Sequence, residues 1–119
     1  SYAVKKGGVM IVLGECPDIT EPPEFPKWFQ YPSTLELEKA LRADFTIPGW
    51  VAFKEVECSD IAAVIMVTRP DNFELVGKAG IIPVTTMEAA LDEAYRRCGT
   101  TTPRITLMPQ GANTLPILD

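Results

Sequence analysis

The sequence predicts an α/β domain: a small, mostly parallel sheet of about four strands with helices on both faces, a Rossmann-like arrangement. Three observations lead there. Val9–Leu13 and Ile61–Val67 are unbroken apolar runs, the pattern of strands buried on both faces of a parallel sheet. Segments with helical spacing and their own start signals lie between and after these runs. Alternating strands and helices build βαβ units, and right-handed crossovers distribute the helices over both faces.

The elements follow in order. Gly7-Gly8 and Gly14 bound the first strand, Val9–Leu13. Residues 14–32 hold Pro17, Pro22, Pro23, Pro26 and Pro32 among acidic residues, so they form a long irregular connection with a short helical turn around Trp28-Phe29. Ser33-Thr34-Leu35-Glu36 is a capping box, and a helix runs from it to about Asp44. Leu37, Ala40, Leu41 and Phe45 take its inner side, and Glu38 can pair with Arg42 outside. Pro48-Gly49 reads as a stop, and Trp50–Cys58 as a helix with Trp50 and Phe53 inward. Ile61–Val67 is the second strand. Thr68-Arg69-Pro70-Asp71 opens a helix that turns Phe73 and Val76 inward and ends near Gly80. Ile81–Val84 is a short third strand, and Pro83 assigns it to an edge because proline cannot donate to a ladder. Thr85–Glu88 is a second capping box. The helix after it places Met87, Ala90, Leu91, Ala94 and Cys98 on one side, and Gly99 stands where a C-cap glycine belongs. Pro103 blocks continuation, and Ile105–Met108 is the fourth strand.

Composition narrows the function. The 119 residues form one domain by size, and 46% hydrophobic with 23% charged residues is ordinary for a globular chain. Net charge is 11 − 16 = −5 with no basic run, which argues against nucleic acid or an anionic membrane as partner. Histidine is absent, so Ser-His-Asp and Cys-His catalysis and imidazole-ligated zinc are excluded within this chain. Cys16, Cys58 and Cys98 are widely spaced and odd in number, the pattern of reduced cysteines in a cytoplasmic protein. No signal peptide and no apolar run of membrane-spanning length is present. Ser1 in place of Met, with a strand almost at once, fits a domain excised from a longer chain.

In open parallel sheets, ligands bind beyond the carboxyl ends of the strands. Three segments lie there. Glu15 and Asp18 follow the first strand. They offer carboxylates for a metal or for general base work, or else make a solvated acidic loop. Arg69 follows the second strand, as an anion clamp or as an ordinary surface charge. Pro109–Pro116 follows the fourth. Gly111 there permits close backbone approach, and Gln110, Asn113 and Thr114 supply uncharged hydrogen-bonding groups. A turn that satisfies its own backbone uses the same residues. Gly7-Gly8 precedes a strand rather than following one, so it is no dinucleotide fingerprint, and there is no phosphate loop.

The order of segments resembles the C-terminal domain of the nickel-dependent lactate racemase family. The resemblance runs through Lys6–Val9 leading to Gly14-Glu15-Cys16, the Val64–Val67 strand, Gly80-Ile81-Ile82-Pro83 and the Thr86–Leu91 helix start. Its most specific part is Met108-Pro109-Gln110-Gly111-Ala112-Asn113-Thr114-Leu115-Pro116. It implies two α/β domains facing across a cleft. A nickel-pincer nucleotide is then held by a lysine of the N-terminal domain, and a hydride passes from the α-carbon of a 2-hydroxy acid to the cofactor and back. The acid–base and nickel-binding groups of that family are histidines, which this chain lacks. The resemblance therefore implies no catalytic residue and no metal ligand here. It implies a C-terminal domain that binds no cofactor itself and closes the cleft against its N-terminal partner. The strand-end residues Gln110, Gly111, Asn113, Thr114, Glu15, Asp18 and Arg69 are the ones expected to face the substrate or the cleft. Two other readings stand beside it: a stand-alone small-molecule binding or regulatory module, and an oligomerisation domain.

Overall fold

The computed structural model describes residues 4–114. Three parallel strands form one sheet, β1 (Val9–Leu13), β2 (Ala63–Val67) and β3 (Ile82–Val84), in the order β1-β2-β3. Between β1 and β2 lie a 3₁₀ turn (Phe25–Gln30), α1 (Thr34–Ala43) and α2 (Ile47–Ile61). Between β2 and β3 lie a 3₁₀ turn (Pro70–Asn72) and α3 (Phe73–Lys78), and α4 (Met87–Cys98) follows β3.

The Ser33 cap is where the sequence predicts it, while the second N-cap is Thr86, one residue past the predicted Thr85. The Ser33 side chain accepts the Glu36 N–H at 3.3 Å, and the Thr86 side chain accepts the Ala89 N–H at 3.2 Å. Gly99 ends α4 with φ of 65°, a left-handed conformation that favours glycine. Arg42 donates to Glu38 across one turn of α1.

Two clusters hold the molecule together. On one side of the sheet, Ala90 and Ala94 of α4 pack with Ile65 against Val9, Ile11, Val67, Ile82 and Val84. Ile65 is fully buried, which is worth about 1.5–3 kcal/mol for a side chain of this size. The second cluster joins Phe29, Ala52 and Ala79 with Phe25, Trp28, Val56, Leu75 and Ile81. It ties the 3₁₀ turn of the long connection to α2 and to the approach to β3. Phe25 and Phe29 meet edge to face with centroids 5.0 Å apart.

Several expectations are corrected. Ile105–Met108 joins no ladder, so the sheet of the described residues has three strands rather than about four. Its backbone has no ladder partner among the described residues, and Ile105 and Leu107 are 55% and 79% exposed. Pro48-Gly49 does not act as a stop. The Thr46 side chain caps α2 by accepting the Gly49 N–H at 3.1 Å, and Pro48 occupies the first turn, where its missing N–H costs nothing. Trp50 is 49% exposed rather than inward, because α2 buries the Gly49 and Ala52 side instead. Phe45 lies past the end of α1 and is 68% exposed. Ile61 closes α2, and the strand begins at Ala63.

Candidate functional site

The carboxyl end of the sheet is organised by two buried polar side chains. Thr68 follows β2 directly, and Asn72 ends the 3₁₀ turn after it; they are 6% and 3% exposed. Asn72 Nδ2 donates to the Glu15 carbonyl at 2.9 Å, the Cys16 carbonyl at 3.0 Å and Thr68 Oγ1 at 2.9 Å. Thr68 Oγ1 donates in turn to the Glu15 carbonyl at 3.2 Å. The Thr68 N–H donates to the Val84 carbonyl at 2.9 Å, and the Gly14 N–H to the Val67 carbonyl at 3.1 Å. The loop leaving β1 is thus fastened to β2, and β2 to β3, at one end of the sheet. Every buried side-chain polar atom among the described residues has a partner.

Cys16 has φ of 46°, the left-handed region that non-glycine residues seldom enter. The two Asn72 bonds to residues 15 and 16 hold the chain through that turn. Gly14 has little room, since a Cβ there would lie 3.1 Å from Met66 Cε and 3.2 Å from Cys16 Sγ.

The predicted site residues divide between this end and the tail. Glu15 and Asp18 are exposed, with their carboxylates free of hydrogen bonds among the described residues. Arg69 stands beside Thr68 and reaches Asp71 at 3.4 Å as an exposed pair. Gln110, Gly111, Asn113 and Thr114 form a separate exposed turn, closed on itself. The Asn113 N–H donates to the Gln110 carbonyl at 2.8 Å, and the Thr114 hydroxyl donates to the same oxygen at 2.8 Å. The side-chain amides of Gln110 and Asn113 make no hydrogen bond among the described residues. Leu115 and Pro116 lie outside the described residues. Sequence reasoning marked Thr68-Arg69 but missed Asn72. Its signal was a pair of polar side chains four residues apart at the start of a helix following a strand.

A separate cleft of about 440 Å³ lies toward the other end of the sheet. Trp28, Tyr31, Thr34, Asp60, Lys78 and Gly80 line it, and Asp60 and Gly80 immediately precede the approaches to β2 and β3. The Thr34 hydroxyl donates to the Asp60 carboxylate across it. Sequence reasoning placed no site here, because the lining residues come from three separate stretches of the chain.

No protein-family model matches this chain, and no curated protein matches it significantly. Among solved structures, it is similar to the lactate racemase apoprotein from Thermoanaerobacterium thermosaccharolyticum. The identity is 28% with a TM-score of 0.67, over 78% of this chain and 24% of that one. The chain therefore corresponds to about a quarter of that racemase, and the likeness is to one domain of it.

Proposed function

We propose that this chain is the cleft-forming C-terminal domain of a racemase or epimerase that interconverts the stereoisomers of a 2-hydroxy acid. The observation that carries this reading is the structural likeness to lactate racemase at 28% identity. The absence of histidine agrees with it, because a domain that closes a cleft needs no acid–base group of its own. The reading includes a fourth strand at Ile105–Met108, which would complete a Rossmann-like sheet. The partners are the N-terminal catalytic domain of the same chain and a small 2-hydroxy acid, with no nucleic acid and no membrane, in the cytoplasm.

In this reading a nickel-pincer nucleotide on the N-terminal domain supplies the hydride chemistry. Among the described residues, no group of three or more Cys, Asp or Glu side chains gathers to hold a metal. The described residues do not fit a nickel site. Their share is shape, hydrogen bonding and exclusion of water, which limits loss of a reactive intermediate to solvent. Gln110 and Asn113 suit the hydrogen bonding, since their amides have no partner among the described residues.

The test is racemisation of lactate and other 2-hydroxy acids by the complete gene product loaded with nickel cofactor. Gln110→Ala and Asn113→Ala in that enzyme should each raise KM or lower kcat by about tenfold, the worth of one lost hydrogen bond. Unchanged kinetics in both variants would take these residues out of the site. No turnover of any 2-hydroxy acid would sink the reading as a whole. An oligomerisation role is favoured by one observation: Phe45, Ile47, Trp50 and Val51 form an exposed apolar corner at the start of α2.

A further inference from the structure

The sheet has two free edges of unequal chemistry. Gly8 accepts from the Ala63 N–H and Gly14 donates to the Val67 carbonyl, both toward β2. By the alternation of a strand, Val9, Ile11 and Leu13 turn their N–H and C=O groups outward. At the other edge, Val84 accepts from Thr68, so the residue of β3 that faces outward is Pro83, which has no N–H. Only the β1 edge can take a full further strand. The chain also carries a segment without a ladder. Arg104–Met108 lies between Pro103 and Pro109, belongs to no helix or strand, and makes no backbone hydrogen bond among the described residues.

The course of α4 joins these two facts. It starts after the carboxyl end of β3 and touches all three strands, reaching across β2 to β1. A connection that returns from β3 across β2 and β1, on the face where α4 packs, leads to a parallel strand outside β1. Gly99–Arg104 then needs to run only from the end of α4 to the next strand position. Six extended residues span up to about 20 Å, several times the strand spacing.

We propose that Arg104–Met108 docks as a fourth strand, parallel to β1 along its outer edge, giving the order 4-1-2-3 and setting Gln110–Thr114 beside Gly14–Asp18. The pleat places Ile105 and Leu107 on one face, where they cover Leu13, now 68% exposed. The chain leaves β1 toward β2 on one side, and the docked strand lies on the other. That arrangement makes the carboxyl end of β1 a topological switch point, where open α/β sheets bind their ligands. The two separate candidate segments become one crevice, with the amides of Gln110 and Asn113 facing the fastened Gly14–Cys16 loop. The inference deepens the racemase reading by naming where the 2-hydroxy acid sits. The strand itself does not depend on that reading.

Amide hydrogen exchange followed by NMR on this chain tests the strand without any activity. The Val9, Ile11 and Leu13 amides should exchange roughly a hundredfold more slowly than exposed loop amides. Thr106→Pro and Leu107→Pro lie on opposite faces of the segment, so at least one removes a ladder donor and should release that protection. The β2 amides should stay protected in the same variant, which separates loss of the strand from unfolding. Fast exchange at residues 9, 11 and 13 in the parent chain would overturn the proposal, and so would protection that survives both proline variants. Protection accompanied by a dimer mass in sedimentation would overturn it in favour of pairing between copies. A docked strand in a chain whose full gene product racemises nothing would leave the topology standing and remove the substrate.

Discussion

Asn72 does more for the carboxyl end of the sheet than any charged residue near it. One amide serves two carbonyls and a hydroxyl, all of them partly or fully buried. Asn72→Ala takes a donor away from each of these acceptors and should destabilise the chain by about 2 kcal/mol in urea unfolding. Asn72→Asp should do at least as badly, because a carboxylate meets carbonyl oxygens. Glu93 shows the opposite regime. Arg96 and Arg97 both donate to it at 2.6 Å, and these hydrogen bonds hold its carboxyl below the ordinary carboxylate value. A lowered folded value stabilises the fold above the unfolded value, and that contribution disappears as the pH falls through the folded one. Glu93→Gln should therefore be slightly less stable than the parent at pH 7. The difference should shrink as the pH falls below the ordinary carboxylate range, measured by thermal unfolding across that range. The acidic and basic residues of α4 were legible as helix surface, but Asn72 was not. A buried asparagine and an exposed one look the same until the loop it fastens is in place.

At the scale of elements, local chemistry predicted most of what formed. Ser33, Thr86 and Gly99 mark helix ends through their own backbone geometry, so they could be read without knowing the fold. Val9–Leu13 and Ala63–Val67 were legible because strands buried on both faces need continuous apolar residues. The misreadings came where neighbours decide. Trp50 and Phe45 were taken as inward on hydrophobicity alone, yet α2 buries its small residues. Gly49 is the clearest of these: a Cβ there would lie 2.5–2.8 Å from three atoms of the Trp28 indole. Trp28 lies flat against α2 because position 49 has no side chain. Gly49→Ala gains about 1 kcal/mol of helix propensity. It loses more through collision with the indole packed against that position. The net cost should be about 1–2 kcal/mol in chemical denaturation. Adding Trp28→Leu should remove that penalty, a coupling that a double-mutant cycle measures. The fourth strand is absent from the described sheet for a related reason. Ile105–Met108 has strand composition, but a strand exists only with a partner.

Across the whole molecule, the polar and apolar surfaces fall in different places. The fastened loop and Arg69 occupy the carboxyl end of the sheet, while Phe45, Ile47, Trp50 and Val51 form an apolar corner on the helical layer. Ile47, Trp50 and Val51 share one helix face by their three- and four-residue spacing. Ile47→Lys with Trp50→Lys should leave the unfolding midpoint nearly unchanged, because both side chains are already substantially exposed. The same double variant should abolish concentration-dependent association of the isolated chain in sedimentation. Association that persists would assign the contact to another surface. No helix among the described residues is long and apolar enough to cross a membrane. The site was the least legible part of the sequence. Its segments are separated by most of the chain, and only the sheet order decides which of them meet. Pro83 has one more effect, on self-assembly. Fibrils that grow by adding strands need two open edges on every molecule, one to attach by and one to offer. Pro83 withholds one of them. With Arg104–Met108 docked along β1, the open edge is that of the docked strand, and two copies meeting through it would stop as a pair, so this sheet ends a stack rather than propagating it.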